Sequence, residues 1–116
     1  MTHEMKLKDV YFNKIKNGDK IYEIRLNDEK RQAIDVGDLI IFKNNSDLHQ
    51  SLKTVVEDLI YFESFEEITK TLPKEKVGFE NENASQIVEI YHQFYNAEDE
   101  KKYGVVAIKV NLLEEK

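Results

Sequence analysis

The alternation of apolar and polar residues predicts a mixture of short strands and helices. Residues 4–8 alternate apolar and charged side chains, which is typical of a half-buried strand. Apolar residues then recur near the helical period and predict a helix over about 10–17, with Asp9 as its N-cap. Gly18 ends that helix, since glycine readily adopts the left-handed conformation on which helices often finish.

A strand is predicted next, over residues 20–26. Its side chains divide between two faces because successive residues of a strand point to opposite sides. One face carries Tyr22, Ile24 and Leu26, and the other carries Ile21, Glu23 and Arg25. Lys20 falls on the face opposite to Glu23 and Arg25 unless the strand begins after a bulge or turn.

Three further segments have the pattern of strands. The continuous apolar run 39–42 is typical of a buried strand, and the turn-forming cluster 44–47 follows it. Residues 49–60 suit a long strand paired back on 38–43. Residues 103–110 predict a last strand, which must pair with earlier ones because an isolated edge this apolar would aggregate.

The helical signals after residue 60 are of two kinds. Ser64 begins a capping box, Ser-x-x-Glu, that predicts a short helix over about 65–71. A helix over 84–95 should turn a group of apolar residues inward, namely Ile87, Val88, Ile90, Tyr91 and Phe94. Earlier in the chain, a short turn or helix is also predicted over 30–34. The whole order predicts an α+β fold with predominantly antiparallel strands.

The composition indicates one soluble globular domain covering residues 1–116. Hydrophobic residues make up 41% and charged residues 34% of the chain, which is long enough for one hydrophobic core. No apolar run approaches the roughly 18 residues that span a bilayer, and the N-terminus lacks the apolar stretch of a signal peptide. Because the chain has no cysteine, disulfides and thiolate chemistry are excluded. We therefore expect a cytoplasmic protein without a membrane partner.

The charge is acidic overall but unevenly distributed. The net charge is −6, which argues against binding long duplex DNA through its phosphates. Residues 1–31 nevertheless carry eight Lys and Arg against six Asp and Glu, whereas the remaining residues carry nine against 17. An anionic partner should therefore meet the N-terminal third, although so small an excess is also compatible with an ordinary solvated surface.

The pattern Gly18-x-Lys20-x-x-Glu23-x-Arg25 lies at the predicted helix-to-strand junction. A Gly37-Asp38 strand entry and a final Tyr103-Gly104-Val105-Val106 strand follow in order. This combination resembles the ASCH family over roughly residues 4–112. The resemblance implies a PUA-like fold, an open or closed β-barrel of about five to six mostly antiparallel strands with flanking helices. It also implies that the motif strand lines a cleft between barrel and helices.

The motif residues have side chains suited to binding a ligand. Arg25 offers a planar fork of donors for a phosphate, carboxylate or base edge, and Lys20 is a compact charge. Glu23 can accept hydrogen bonds from exocyclic amines or orient Arg25. The predicted ligand-binding set is completed by Gly18 and Tyr22. The alternative is a simple surface ion pair between Glu23 and Arg25.

One branch that the chain resembles comprises amidohydrolases acting on N4-acetylcytidine. The branch pairs a Lys and a Thr on the motif strand with a Glu before a helix. Lys20 matches the Lys and Glu80 is a candidate for the Glu, but Glu23 stands where the Thr is expected. A carboxylate cannot replace a lysine-activated hydroxyl as nucleophile without changing the chemistry. Glu80 also has a plain alternative, as an acidic residue near a helix N-terminus.

The resemblance therefore favours a module that binds RNA, a nucleotide or a nucleoside, including a modified base or a short single-stranded segment. The alternative is an enzyme in which Lys20, Glu23 and Glu80 are catalytic, either the amidohydrolase or a weak ribonuclease. His3, His49 and His92 lack metal-ligand spacing, so no metal or other cofactor is expected. Tyr91, Phe94 and Tyr95 are assigned to the core.

Overall fold

Among residues 1–113, five strands form a single sheet that curls into a half-barrel. A computed structural model describes residues 1–113 of the chain. The strands are β1 (Thr2–Leu7), β2 (Tyr22–Leu26), β3 (Leu39–Asn44), β4 (Asp47–Phe62) and β5 (Val105–Leu112). Their order across the sheet is β1-β3-β4-β5-β2; β1 and β3 run parallel, and the other neighbouring pairs in this order are antiparallel. The predicted α+β fold, an open or closed barrel of about five to six mostly antiparallel strands with flanking helices, is confirmed in the form of a five-stranded half-barrel. Residues 114–116, which the predicted bounds 1–116 include, lie outside the described residues.

In the described part of the chain, six helices connect and cover these strands. They are α1 (Asp9–Lys16), α2 (Glu29–Gln32), α3 (Phe65–Thr71), α4 (Lys74–Val77), α5 (Ala84–His92) and α6 (Ala97–Tyr103). The four helices from α3 to α6 form one insertion between β4 and β5. Within residues 1–113, no helix is long and apolar enough to cross a bilayer.

The continuous apolar sequence of β5 follows from its burial on both faces. Val106 and Ile108 join a core cluster with α1, β1, β3 and β4 on one side of the sheet. Val105 and Ala107 join a second cluster with β2 and the helical insertion on the other side. Strand β5, which lies between β4 and β2 in the sheet, therefore separates two cores, and β2 belongs to the core that the helical insertion covers.

Several local predictions were wrong because hydrogen bonding departs from the simple pattern. Lys8, not Asp9, is the N-cap of α1, and the Asp9 carboxylate instead accepts a 2.8 Å hydrogen bond from Asn44. The Ser64 hydroxyl accepts from the Glu67 N–H as expected. The Glu67 carboxylate, however, accepts from the N–H of Glu63 at 3.2 Å, so the reciprocal half of that capping box is missing.

The helical insertion contains two helices that the hydrophobic pattern did not predict. Helix α4 is a single turn, and α6 is almost entirely polar, with the carboxylate of Glu100 as its buried anchor. Glu100 accepts from the Phe65 N–H at 2.8 Å, which ties α6 to α3. The predicted helix 84–95 ends at His92, so Phe94 is exposed rather than inward-facing.

We expect Asn83→Ala to destabilise the protein by about 1 kcal/mol, because it removes the N-cap of α5. The Asn83 side chain accepts from the Gln86 N–H at 2.9 Å, and the Gln86 side chain accepts in return from the Asn83 N–H at 2.9 Å. The measurement is the free energy of unfolding in urea. Asn81→Ala, two residues earlier at an exposed position, is the matched control. Equal effects of the two substitutions would contradict the assigned capping role.

Candidate ligand-binding site

Lys20 lies in the turn before β2, with its ammonium group buried. The ammonium donates 2.7 Å hydrogen bonds to the carbonyl oxygens of Tyr22 and Val77 and lies 3.2 Å from Glu23 Oε1. An ammonium group has three donors, and these three oxygens accept from all of them. Because the strand begins only at Tyr22, Lys20 escapes the strict alternation of strand faces and reaches the same side as Glu23.

Glu23 and Arg25 lie on one face of β2. The Arg25 Nε donates to Glu23 Oε2 at 2.8 Å, so each oxygen of this carboxylate faces one cation. Arg25 Nη2 also donates to the backbone oxygen of Lys6 in β1 at 3.0 Å. We call Lys20, Glu23 and Arg25 the charged triad. It connects β2 to β1 on one side and to α4, through Val77, on the other.

The two cations of the charged triad favour the ionised form of Glu23. Burial by itself would raise the pKa of Glu23, but Lys20 and Arg25 outweigh it and hold that pKa below the ordinary 4.5. Burial lowers the pKa of Lys20, and the adjacent Glu23 opposes the shift. Burial by itself would lower the pKa of Arg25, but the interaction with Glu23 outweighs it, and the pKa of Arg25 is raised.

Gly78 allows the helical insertion to approach Lys20 closely. This residue ends α4 with φ of 110°, in the left-handed region that favours glycine. A Cβ atom there would lie 3.1 Å from the Lys20 Cδ and 3.3 Å from the Tyr11 ring. The motif carries no information about Gly78, which is distant in sequence.

A cleft of about 250 Å³ opens beside the charged triad. Its floor includes the triad, and one rim comes from the end of β1 and the start of α1. Most of its wall is aromatic and comes from α1, α5 and the segments that follow α4 and α5, namely Tyr11, Phe79, Tyr91, Phe94 and Tyr95. The rings of Tyr11 and Tyr91 each meet Phe79 edge-to-face, at centroid distances of 5.9 and 5.8 Å. At the rim, the Lys8 ammonium lies 4.6 Å from the centre of the Phe94 ring.

Three tyrosine hydroxyls add polar groups to this apolar wall. Burial, together with nearby negative charge that includes Glu23, raises the pKa of Tyr11 and of Tyr91. Burial also raises the pKa of Tyr95, although Arg25 beside it opposes the shift. All three phenols therefore stay protonated at neutral pH and can donate hydrogen bonds.

The structure brings together only some of the residues predicted to form the site. Lys20, Glu23 and Arg25 line the cleft. Gly18 lies in an exposed turn outside the cleft, and Tyr22 packs its ring against the second core cluster. Glu80 is exposed and is not among the cleft-lining residues.

The aromatic wall was missed as a site because its residues have the same sequence pattern as a core. Tyr91 does belong to the core as well, since one side of its ring stacks on Phe65 with centroids 4.6 Å apart. The excess of aromatic residues near the end of the predicted helix was the available signal. Which of these side chains would point into a cavity depends on where α5 ends.

Comparison with known proteins identifies relatives over the whole fold. The sequence model of the ASCH domain matches residues 5–114. The crystal structure of hypothetical protein PH0355 is 40% identical, with a TM-score of 0.87, covering 97% of this chain and 100% of that one. The solution structure of protein PF0455 from Pyrococcus furiosus is 36% identical, with a TM-score of 0.80, covering 99% and 100%. The search of curated proteins found no match.

We expect Glu23→Gln to destabilise the fold by about 3–5 kcal/mol, because it leaves the buried Lys20 ammonium and the partly buried Arg25 guanidinium without their shared carboxylate. Glu57→Gln is the matched control, since Glu57 pairs with Lys109 at 3.7 Å on the surface. An exposed pair of this kind contributes about 0–1 kcal/mol. The measurement is the free energy of unfolding in urea. Similar losses in the two variants would contradict the structural importance of the charged triad.

The stabilising effect of Glu23 should disappear in acid. Its pKa in the folded protein is below 4.5, so its contribution is complete above the unfolded pKa and is lost as pH falls through the folded pKa. We expect the difference in unfolding free energy between the unmodified protein and Glu23→Gln to be largest near neutral pH and to narrow below about pH 4. Urea titrations across this range test it. A constant difference would show that Glu23 is not ionised in the fold.

Proposed function

We propose that this chain, which belongs to the ASCH domain family, is a binding module that holds a nucleobase in the cleft beside the charged triad. The base could belong to a nucleoside, a nucleotide or a short single-stranded RNA. The observation that carries the proposal is the placement of a buried carboxylate and a guanidinium at the floor of a cleft with aromatic walls. Base recognition by proteins combines these two elements, stacking and hydrogen bonding to a base edge.

The polar floor offers both kinds of hydrogen-bonding group. Each Glu23 oxygen accepts one contact within the triad, and a carboxylate has about four lone-pair sites, so it retains capacity for a ligand N–H. Arg25 uses two of its five N–H donors on Glu23 and Lys6. A base edge with an amine next to a ring nitrogen or carbonyl presents the complementary donor and acceptor.

The dimensions and charge of the protein favour a small ligand. A volume of about 250 Å³ lies just below the range of roughly 300–1,000 Å³ that is usual for drug-sized ligands. A single base with its sugar is a better match for this space than a duplex. The net charge of −6 also argues against an extended contact with a polyanion.

The geometry supports binding more than hydrolysis. All three donors of the Lys20 ammonium are engaged by oxygens, and a lysine that acts as a base must give up its proton and those contacts. Glu80 lies outside the cleft, away from the position that an acid or base would need. Glu23 occupies the place of the expected hydroxyl and is held between two cations.

We expect Phe94→Ala to weaken binding of a nucleoside by roughly five- to tenfold, since stacking on an aromatic ring contributes about 1–3 kcal/mol per base and Phe94 is partly exposed. Phe94 lines the cleft mouth and is 56% exposed, so its truncation should leave the fold intact. The measurement is calorimetric titration with a panel of nucleosides, nucleotides and short single-stranded RNAs.

Tyr61→Ala is the matched control, because Tyr61 is 60% exposed and lies on β4 outside the cleft. Its affinities should equal those of the unmodified protein. If the unmodified protein binds no member of the panel, the binding proposal fails. If both variants weaken binding equally, the ligand does not occupy the cleft.

A further inference from the structure

A second depression adjoins the cleft and is lined mainly by cations. Its walls come from β1, β2 and α2, and its residues are Glu4, Met5, Lys6, Arg25, Lys30 and Arg31. We call it the basic groove. Lys6 and Arg25 line both the basic groove and the cleft, so the two spaces adjoin at these residues. A ligand held in the cleft therefore lies next to the basic groove, with Arg25 between the two.

The positive charge of the basic groove is largely uncompensated. Its one carboxylate, Glu4, is already paired with Lys43 at 3.4 Å. Within the described part of the chain, Lys6, Lys30 and Arg31 form no ion pair, and Arg25 pairs with Glu23 on the cleft side. Four cationic side chains thus meet in one place on a protein whose net charge is −6.

Arg31 is held there without a hydrogen-bond acceptor for its buried Nε atom among residues 1–113. Burial lowers the pKa of Arg31, and the neighbouring positive charge of Arg25 lowers it further. The carboxylate of Asp28 opposes this shift, but its Oδ1 atom also accepts from the backbone N–H of Arg31 as the cap of α2. Two guanidinium groups therefore repel each other across the groove, and an anion between them would relieve that repulsion.

We propose that the basic groove binds a phosphate group of the same ligand whose base occupies the cleft. This inference rests on the proposed function and narrows it: the ligand class is a nucleotide or a phosphodiester-linked segment, not a free nucleoside. Arg25 contacts both parts of the ligand. One side of its guanidinium pairs with Glu23 and faces the base, and the other side faces the phosphate. Arg31, Lys30 and Lys6 complete the phosphate contacts.

The test compares affinities for a nucleoside, its 5′- and 3′-monophosphates and a dinucleotide with the same base, by calorimetry at fixed ionic strength. We expect phosphate to tighten binding by about tenfold or more, because charge-assisted hydrogen bonds are stronger than neutral ones. Tightening by a monophosphate assigns the groove to a terminal phosphate, and tightening by the dinucleotide alone assigns it to a bridging phosphodiester. Either result supports the inference.

Arg31→Gln should bring the nucleoside and nucleotide affinities close together, and Lys30→Gln, at an exposed position, should reduce the preference in part. Lys30→Gln keeps the test valid if Arg31→Gln does not fold. Lys101→Gln, an exposed cation on α6, should keep the full preference.

The outcomes separate this inference from the proposed function. If the nucleoside binds and phosphate adds nothing, the phosphate site is wrong and the base site stands. A phosphate preference that Arg31→Gln and Lys30→Gln leave unchanged would also overturn the phosphate site. If neither nucleoside nor nucleotide binds, both proposals fall.

Discussion

The buried carboxylate of Glu23 is the interaction on which the rest of the structure depends. It lies between the Lys20 ammonium and the Arg25 guanidinium, at 3.2 and 2.8 Å. A charge out of contact with water is expensive unless it is paired and hydrogen-bonded, so the three groups must stay together once the chain is folded. Their remaining donors reach backbone oxygens of β1, β2 and α4, which fixes these elements relative to one another.

The same interaction explains how the half-barrel is held at its open side. Strands β1 and β2 are the two edges of the sheet, with no ladder between them. Arg25 on β2 donates to the carbonyl of Lys6 on β1, which joins these edges through a side chain rather than through strand pairing. The gap so maintained is where the cleft and the basic groove open. The proposed binding site therefore lies where the hydrogen bond from Arg25 to Lys6 joins β2 to β1.

The helical insertion supplies most of the apolar wall of the cleft, which the sheet does not provide. Helix α4 brings the Val77 carbonyl to Lys20, and the glycine that follows it keeps the contact close. Helix α5 and the residues after it provide most of the aromatic wall. The sheet thus provides the polar floor and the insertion provides the apolar wall, as a site for a flat ligand with a polar edge requires.

The local pattern of the sequence was sufficient to predict the strands, the faces of β2 and the motif Lys20, Glu23 and Arg25, because alternation and helical period are properties of neighbouring residues. It also determined the α+β class. It did not reveal α6, whose buried anchor is the acidic residue Glu100, nor the exclusion of Gly18, Tyr22 and Glu80 from the cleft. Those outcomes depend on contacts between distant segments. The packing of separate elements is what brings Arg31 near Arg25 and places tyrosines with a core-like pattern in the wall of a cleft, since burial and the proximity of charges arise from contacts between distant segments.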